Sequence, residues 1–203
     1  MNNELIPQEQ PLVPEAVADM QSVWQDKAAF ETALRGAMAL SQSTLVPATY
    51  QRRPDNCLIA LDMANRIGLT PLVVMQNLYV VNGRPSWSGQ ACKMLIENCG
   101  KFTQVETIYT GSKGTDSRGC FIRAIRRTTG ETVEGVEVTI EMAKKEGWHD
   151  KSGSKWKTMP ELMLAYRAAA FFARVHCPEA LMGMSTVEEQ EDISKRRTVE
   201  DVL

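Results

Sequence analysis

Between Thr158 and His176 the sequence TMPELMLAYRAAAFFARVH is apolar on nearly every face of a helix, and this constrains the fold more than any other stretch. Thr158-Met159-Pro160-Glu161 has the form of a capping box with proline in the first turn, a helix start, and Pro178 stops the helix after His176. Leu162, Tyr166, Ala169, Phe172, Ala173 and His176 form one apolar stripe, and Met163, Ala170 and Phe171 make the opposite side apolar as well. Such a helix needs cover from several sides. Arg167 and Arg174 are seven residues apart, about 20° offset on a helix, and so share a face. Two guanidiniums on a buried helix need anions, because an unpaired buried charge is costly. Either carboxylates elsewhere in the domain supply them or a phosphate backbone does, to which the forked donors of Arg are suited.

The elements that cover this helix are legible in order. Asp26 caps a helix carrying Phe30, Leu34 and Met38. Pro54 opens a second helix, Gly68 closes it, and Thr70-Pro71 starts a short third one reaching Asn77. Leu78 to Ser86 reads as a hairpin turned at Asn82-Gly83, with Pro85 limiting its strand to a sheet edge. Ser88 caps a helix that runs through Cys99 and stops at Gly100. Strands follow over residues 102–110, 120–127 and 132–138, then a short helix, 140–146, ended by Gly147. The connections are too short for parallel crossovers, so the expectation is an α+β fold: a small antiparallel sheet and a hairpin packed with several helices. Composition divides the chain into an acidic flexible N-terminal arm (1–25), a core (26–185) and an acidic flexible tail (186–203).

Charge sharpens that division. The net charge is −2, but residues 1–26 carry −5 and residues 179–203 carry −4, leaving +7 on the rest. A basic core between acidic arms implies a polyanion ligand, with arms that compete for its site or meet other partners; solubility alone also produces such arms. No apolar run is long enough to cross a membrane, and the acidic start MNNELIPQEQ has no signal-peptide core. Five cysteines without a Cys-x-x-Cys, and only His149 and His176, give no convincing zinc ligand set. They read as packed free thiols in a reducing cytoplasm, and no cofactor is expected.

The candidate contacts cluster just before the apolar helix. Lys144, Lys145, Trp148, Lys151, Lys155, Trp156 and Lys157 interleave cations with aromatic rings. Single-strand binders combine these elements, cations following the backbone while bases stack on rings. The alternative for each tryptophan is to anchor the loop to the core. Arg84 and Trp87 at the hairpin are a smaller version of the same chemistry. Arg123 and Arg127, four apart on one strand, share a sheet face that either binds or is simply solvated.

Catalysis has poor candidates. GSKGT (111–115) and SGSKW (152–156) lack phosphate-loop spacing. Pro54-Asp55 is not followed by the strand-borne Glu-x-Lys of a metal nuclease, and no Ser–His–Asp set is apparent. A non-enzymatic binder is expected.

The segments IGLTPLVVMQN (67–77), NLYVVNGRPSWSGQ (77–90), TIEMAKKEGW (139–148) and SKWKTMPELMLAYRAAAFFARVHCPEALMGMSTVEE (154–189) resemble the RecT family of phage single-strand annealing proteins, functionally similar to lambda Red beta. The resemblance covers most of residues 54–189, the last segment being the most diagnostic. It implies an α+β annealing core and ATP-independent pairing of complementary strands by rings or filaments. It also implies partnership with a phage exonuclease and host single-strand binding protein. A passive single-strand binder without annealing activity is the alternative. Members usually continue into a longer C-terminal region that docks those partners, whereas this sequence stops at Leu203 after a short tail. Lys144, Lys145, Trp148, Lys155, Trp156, Lys157, Arg167 and Arg174 fall within the resembling motifs.

Overall fold

One long helix packs against a four-stranded sheet, and a three-stranded sheet completes the fold. The computed structural model describes Trp24 and residues 26–192. The N-terminal arm expected over 1–25 lies outside them except for Trp24; of the flexible tail expected over 186–203, residues 193–203 lie outside them, whereas Thr186 is in a strand and 187–192 are helical. The helices are α1 (Lys27–Ser41), α2 (Pro54–Ile67), α3 (Pro71–Asn77), α4 (Gly89–Asn98), α5 (Ile140–Lys145), α6 (Lys155–Thr158) and α7 (Pro160–His176). The strands are β1 (Leu78–Val81), β2 (Arg84–Trp87), β3 (Phe102–Thr110), β4 (Gly119–Arg126), β5 (Thr132–Glu134), β6 (Val138–Thr139) and β7 (Ser185–Thr186). Residues 187–192 are helical.

Local chemistry sets most element starts. Asp26 accepts from the Ala29 N–H at 2.7 Å, and Ser88 and Thr139 cap α4 and α5 in the same way. Gly68 ends α2 with φ 67°. Asn82 and Gly83 have φ of 51° and 75°, the paired positive angles of a two-residue hairpin turn. α7 starts differently from expectation. Thr158 ends the one-turn helix α6, Met159 precedes Pro160 without a side-chain cap, and the Glu161 carboxylate is held elsewhere by Arg118.

The fold is α+β. β1 and β2 form an antiparallel hairpin, and β7 adds to β2 in parallel through Ser86–Ser185 and Trp87–Thr186. β2 is therefore a central strand rather than the edge expected from Pro85. Proline is tolerated because β7 pairs only with the two residues beyond it. The second sheet is antiparallel, β3-β4-β5, with β6 also on β4. The single strand expected over 132–138 is split around Gly135, where a Cβ would stand 3.0 Å from the Phe172 ring.

α7 packs against α4 and β4, as its all-round apolarity requires. Leu164, Ala168, Phe172 and Ala173 on α7 are fully buried with Leu95 and Ile96 of α4 and Ile122 of β4. Phe172 meets Phe102 edge-on at 5.2 Å. Among the described residues no single helix is long and apolar enough to cross a membrane.

Candidate nucleic-acid interface

The loop before α7 is shaped by its tryptophans. Gly147, with φ 72°, turns the chain after α5 so that the Trp148 N–H reaches the Ala143 carbonyl at 2.9 Å. The Ser154 hydroxyl donates to the Trp148 carbonyl at 2.7 Å and accepts from the Trp156 N–H at 3.3 Å, which starts α6. Both indoles then lie inside, Trp148 at 7% exposure and Trp156 at 4%. Their ring centroids are 5.7 Å apart, and Trp148 meets Phe171 of α7 edge-on at 6.4 Å. The Arg167 guanidinium lies 4.0 Å from the Trp148 ring centre. Trp87 is fully buried, and its indole N–H donates to the Leu181 carbonyl at 3.2 Å. All three rings are thus buried in this conformation rather than open to solvent. Burying a large apolar face outweighs leaving it in water, and anchoring is the role this conformation gives them.

The cations are mostly paired. Arg167, 6% exposed, donates to Asp192 at 3.0 Å, and the Lys151 ammonium holds the other oxygen of that carboxylate. Arg174 donates to Glu189 at 2.6 Å. The carboxylate alternative for the two arginines is thus the one adopted, with partners from 187–192. Lys144 pairs with Asp116 and Lys145 with Glu141, each at 2.6 Å, and Lys157 reaches Asp150 at 3.8 Å. A hydrogen bond from His149 lowers the Asp150 carboxyl below its ordinary range. Arg123 pairs with Glu134 across β4 and β5 at 2.8 Å. Arg127 does not share that strand face, because β4 ends at Arg126. It donates instead to the Gly100 and Phe102 carbonyls. Lys155 and Arg84 are exposed and have no carboxylate partner among the described residues.

Five of the expected residues converge. Trp148, Lys151, Lys155, Trp156 and Arg167 line a groove of about 570 Å³ between the 148–156 loop and the first turns of α7. Tyr79, Met159, Leu162 and Tyr166 give it an apolar surface, and Gln90 adds an amide. Glu188, Glu191 and Asp192 form its acidic side. Arg84, Trp87, Arg123, Arg127, Lys144, Lys145, Lys157 and Arg174 do not line it.

Two contacts fix the groove's walls. Arg118 grips Glu161 through two hydrogen bonds of 2.9 and 3.1 Å, and the Tyr109 hydroxyl donates to the Glu161 carbonyl at 3.0 Å. This brace ties the start of α7 to the β3–β4 hairpin and lowers the Glu161 carboxyl below its ordinary range. On the other side, Gly89 at the head of α4 allows close approach, since a Cβ there would stand 2.9 Å from a Glu188 carboxylate oxygen and 3.0 Å from the Tyr166 Cβ.

Sequence reasoning missed Tyr79, Gln90, Glu188, Glu191 and Asp192 as groove residues, and took Tyr166 as core. Only the last three had a local signal: Thr186-Val187-Glu188-Glu189 is itself a capping box. The Thr186 N–H donates to the Glu189 carboxylate at 2.9 Å, and the Glu189 N–H to the Thr186 hydroxyl at 3.4 Å.

Among the described residues no group of three or more His, Cys, Asp or Glu side chains is placed to hold a metal. The RecT family model matches residues 31–201, which include every residue of the groove. The chain belongs to the RecT family. Membership in the RecT family supports, at family level, phage-type single-strand annealing and DNA binding in recombination. Neither a curated protein nor a solved structure matches the chain.

Proposed function

We propose that this RecT protein binds single-stranded DNA along the groove between the 148–156 loop and α7 and anneals complementary strands without ATP, acting as an oligomer or filament. The observation that carries the reading is the family match over residues 31–201. The groove supports it chemically. Lys155, without a carboxylate partner among the described residues, lines the groove together with Tyr79, Leu162 and Tyr166, so a cation for the backbone shares it with rings and apolar surface for bases. Lys151 and Arg167 extend the basic wall inward.

Annealing asks little catalytic chemistry of such a surface. Duplex formation supplies the free energy, and the protein's tasks are to neutralise phosphate repulsion and to leave base edges open for pairing. Sequence-independent cations suit the first task. A shallow apolar wall, rather than rings that enclose each base, suits the second. A phage exonuclease and a host single-strand binding protein are the partners expected of such a protein.

The test is pairing of complementary oligonucleotides followed by fluorescence quenching in the absence of any nucleotide. Acceleration over protein-free strands is expected. Binding that slows pairing would make the chain a passive single-strand binder instead. Imaging the protein alone, with one strand and after adding the complement tests the oligomer.

A further inference from the structure

We propose that the helical segment 187–192 is an acidic strap that occupies the groove's cationic wall in place of phosphate and is displaced when DNA enters. The inference rests on the single-strand reading above and adds to it a built-in competitor.

Every strongly held cation on this side of α7 has its carboxylate from this one segment. Asp192 takes Arg167 and Lys151 together, and Glu189 takes Arg174. The remaining acids of the segment, Glu188 and Glu191, also face the groove, although no cation pairs with them among the described residues. Three of the segment's four carboxylates, Glu188, Glu191 and Asp192, thus lie along a groove otherwise lined with Lys151, Lys155 and Arg167, and the fourth, Glu189, holds Arg174 outside it. Phosphate oxygens match carboxylates in charge and in acceptor geometry. Arg167 is almost wholly buried, so it needs an anion at all times. An exchange of Asp192 for a phosphate keeps it paired throughout, which removal of the strap alone would not.

The segment's attachment suits exchange. Its strand pairing is limited to Ser185 and Thr186 against β2, and the Thr186–Glu189 capping box starts the helix described over 187–192. The Asp192 and Glu189 ion pairs, which salt and competing anions weaken, hold its acidic face, while Glu189 and Gln190 are themselves buried. Lys155, which the strap leaves unpaired, gives an incoming strand its first foothold.

The experiment compares wild-type protein with Glu188→Gln/Glu191→Gln, which removes charge without breaking an ion pair, and with Asp192→Asn. The probe is a fluorescent oligothymidylate, titrated at several salt concentrations. The double glutamine variant is expected to bind about threefold to tenfold more tightly at about 0.1 M salt, with thermal stability unchanged. Asp192→Asn shifts affinity the same way if it folds. Hydrogen exchange supplies a second readout on the wild-type protein: amides 187–192 become less protected when the strand binds. Wild-type binding with no gain in the glutamine variant, or strap amides whose protection is kept or increased on binding, overturns the strap and leaves the single-strand reading intact. Failure of both proteins to bind at low salt overturns that reading and the strap with it.

Discussion

Replacing Trp148 by alanine tests the anchoring role most severely. The ring is 7% exposed and is enclosed by Trp156, Phe171 and the Arg167 guanidinium. Truncating a buried Trp to Ala costs about 3–5 kcal/mol. Each aromatic pair adds about 0.5–1.5 kcal/mol beyond area burial, already partly contained in that figure. Loss of the ring also leaves Arg167 with Asp192 alone, in a site where an arginine this deeply buried has little access to water. A loss of about 4 kcal/mol is therefore expected, against a typical domain stability of about 5–15 kcal/mol. At about 2–4 °C per kcal/mol for a chain of this size, the melting temperature should fall by about 8–16 °C. Circular dichroism melts measure it, with oligothymidylate binding measured below the transition. Trp148→Phe, which keeps a ring against Phe171, should recover much of the loss. If Trp148→Ala melted within a degree or two of wild type yet lost DNA binding, the ring would be a stacking platform and the anchoring argument would fail.

Other substitutions separate the groove from the surface around it. Lys155→Ala with Lys157→Ala should weaken oligothymidylate binding and lower the slope of log affinity against log salt by about one to two; an unchanged slope would remove both lysines from the phosphate path. Gly89→Ala puts a Cβ against Glu188 and the Tyr166 Cβ, and should cost about 1–3 kcal/mol in urea unfolding. Glu161→Gln addresses acid stability. Because the Arg118 contact lowers the folded-state carboxyl, its contribution is present above the unfolded value and is lost as pH falls through the folded one. Wild-type protein should thus lose more urea resistance than Glu161→Gln on acidification below about pH 4, and parallel curves would dismiss the brace.

What the sequence disclosed was what neighbours in the chain decide. Asp26, Ser88 and Thr139 cap helices within three residues of themselves, and Asn82-Gly83 turns a hairpin, so each was legible from spacing. The apolar helix and the α+β class followed from patterning. The misreadings came from partners far away. Thr158-Met159-Pro160-Glu161 has the spacing of a capping box, yet Arg118, forty-three residues earlier, takes the Glu161 carboxylate. Thr186 to Glu189 has the same spacing and does form one, inside a stretch whose acidity reads as tail. Nothing local says that Asp192 will meet Arg167 and Lys151, or that Tyr79 on a hairpin will face Tyr166 on α7 across a groove. Spacing grouped the cations around the loop. Which of them stay available was decided by tertiary pairing.

The claim that the groove holds the single strand is tested most directly by photocrosslinking. An oligothymidylate carrying 4-thiothymine is irradiated on the protein and the attachment sites are mapped by mass spectrometry. The groove account predicts crosslinks at Tyr79, Lys155 and Tyr166. Crosslinks confined to the β4 face around Arg123 and Arg127, or to the hairpin at Arg84, would contradict it.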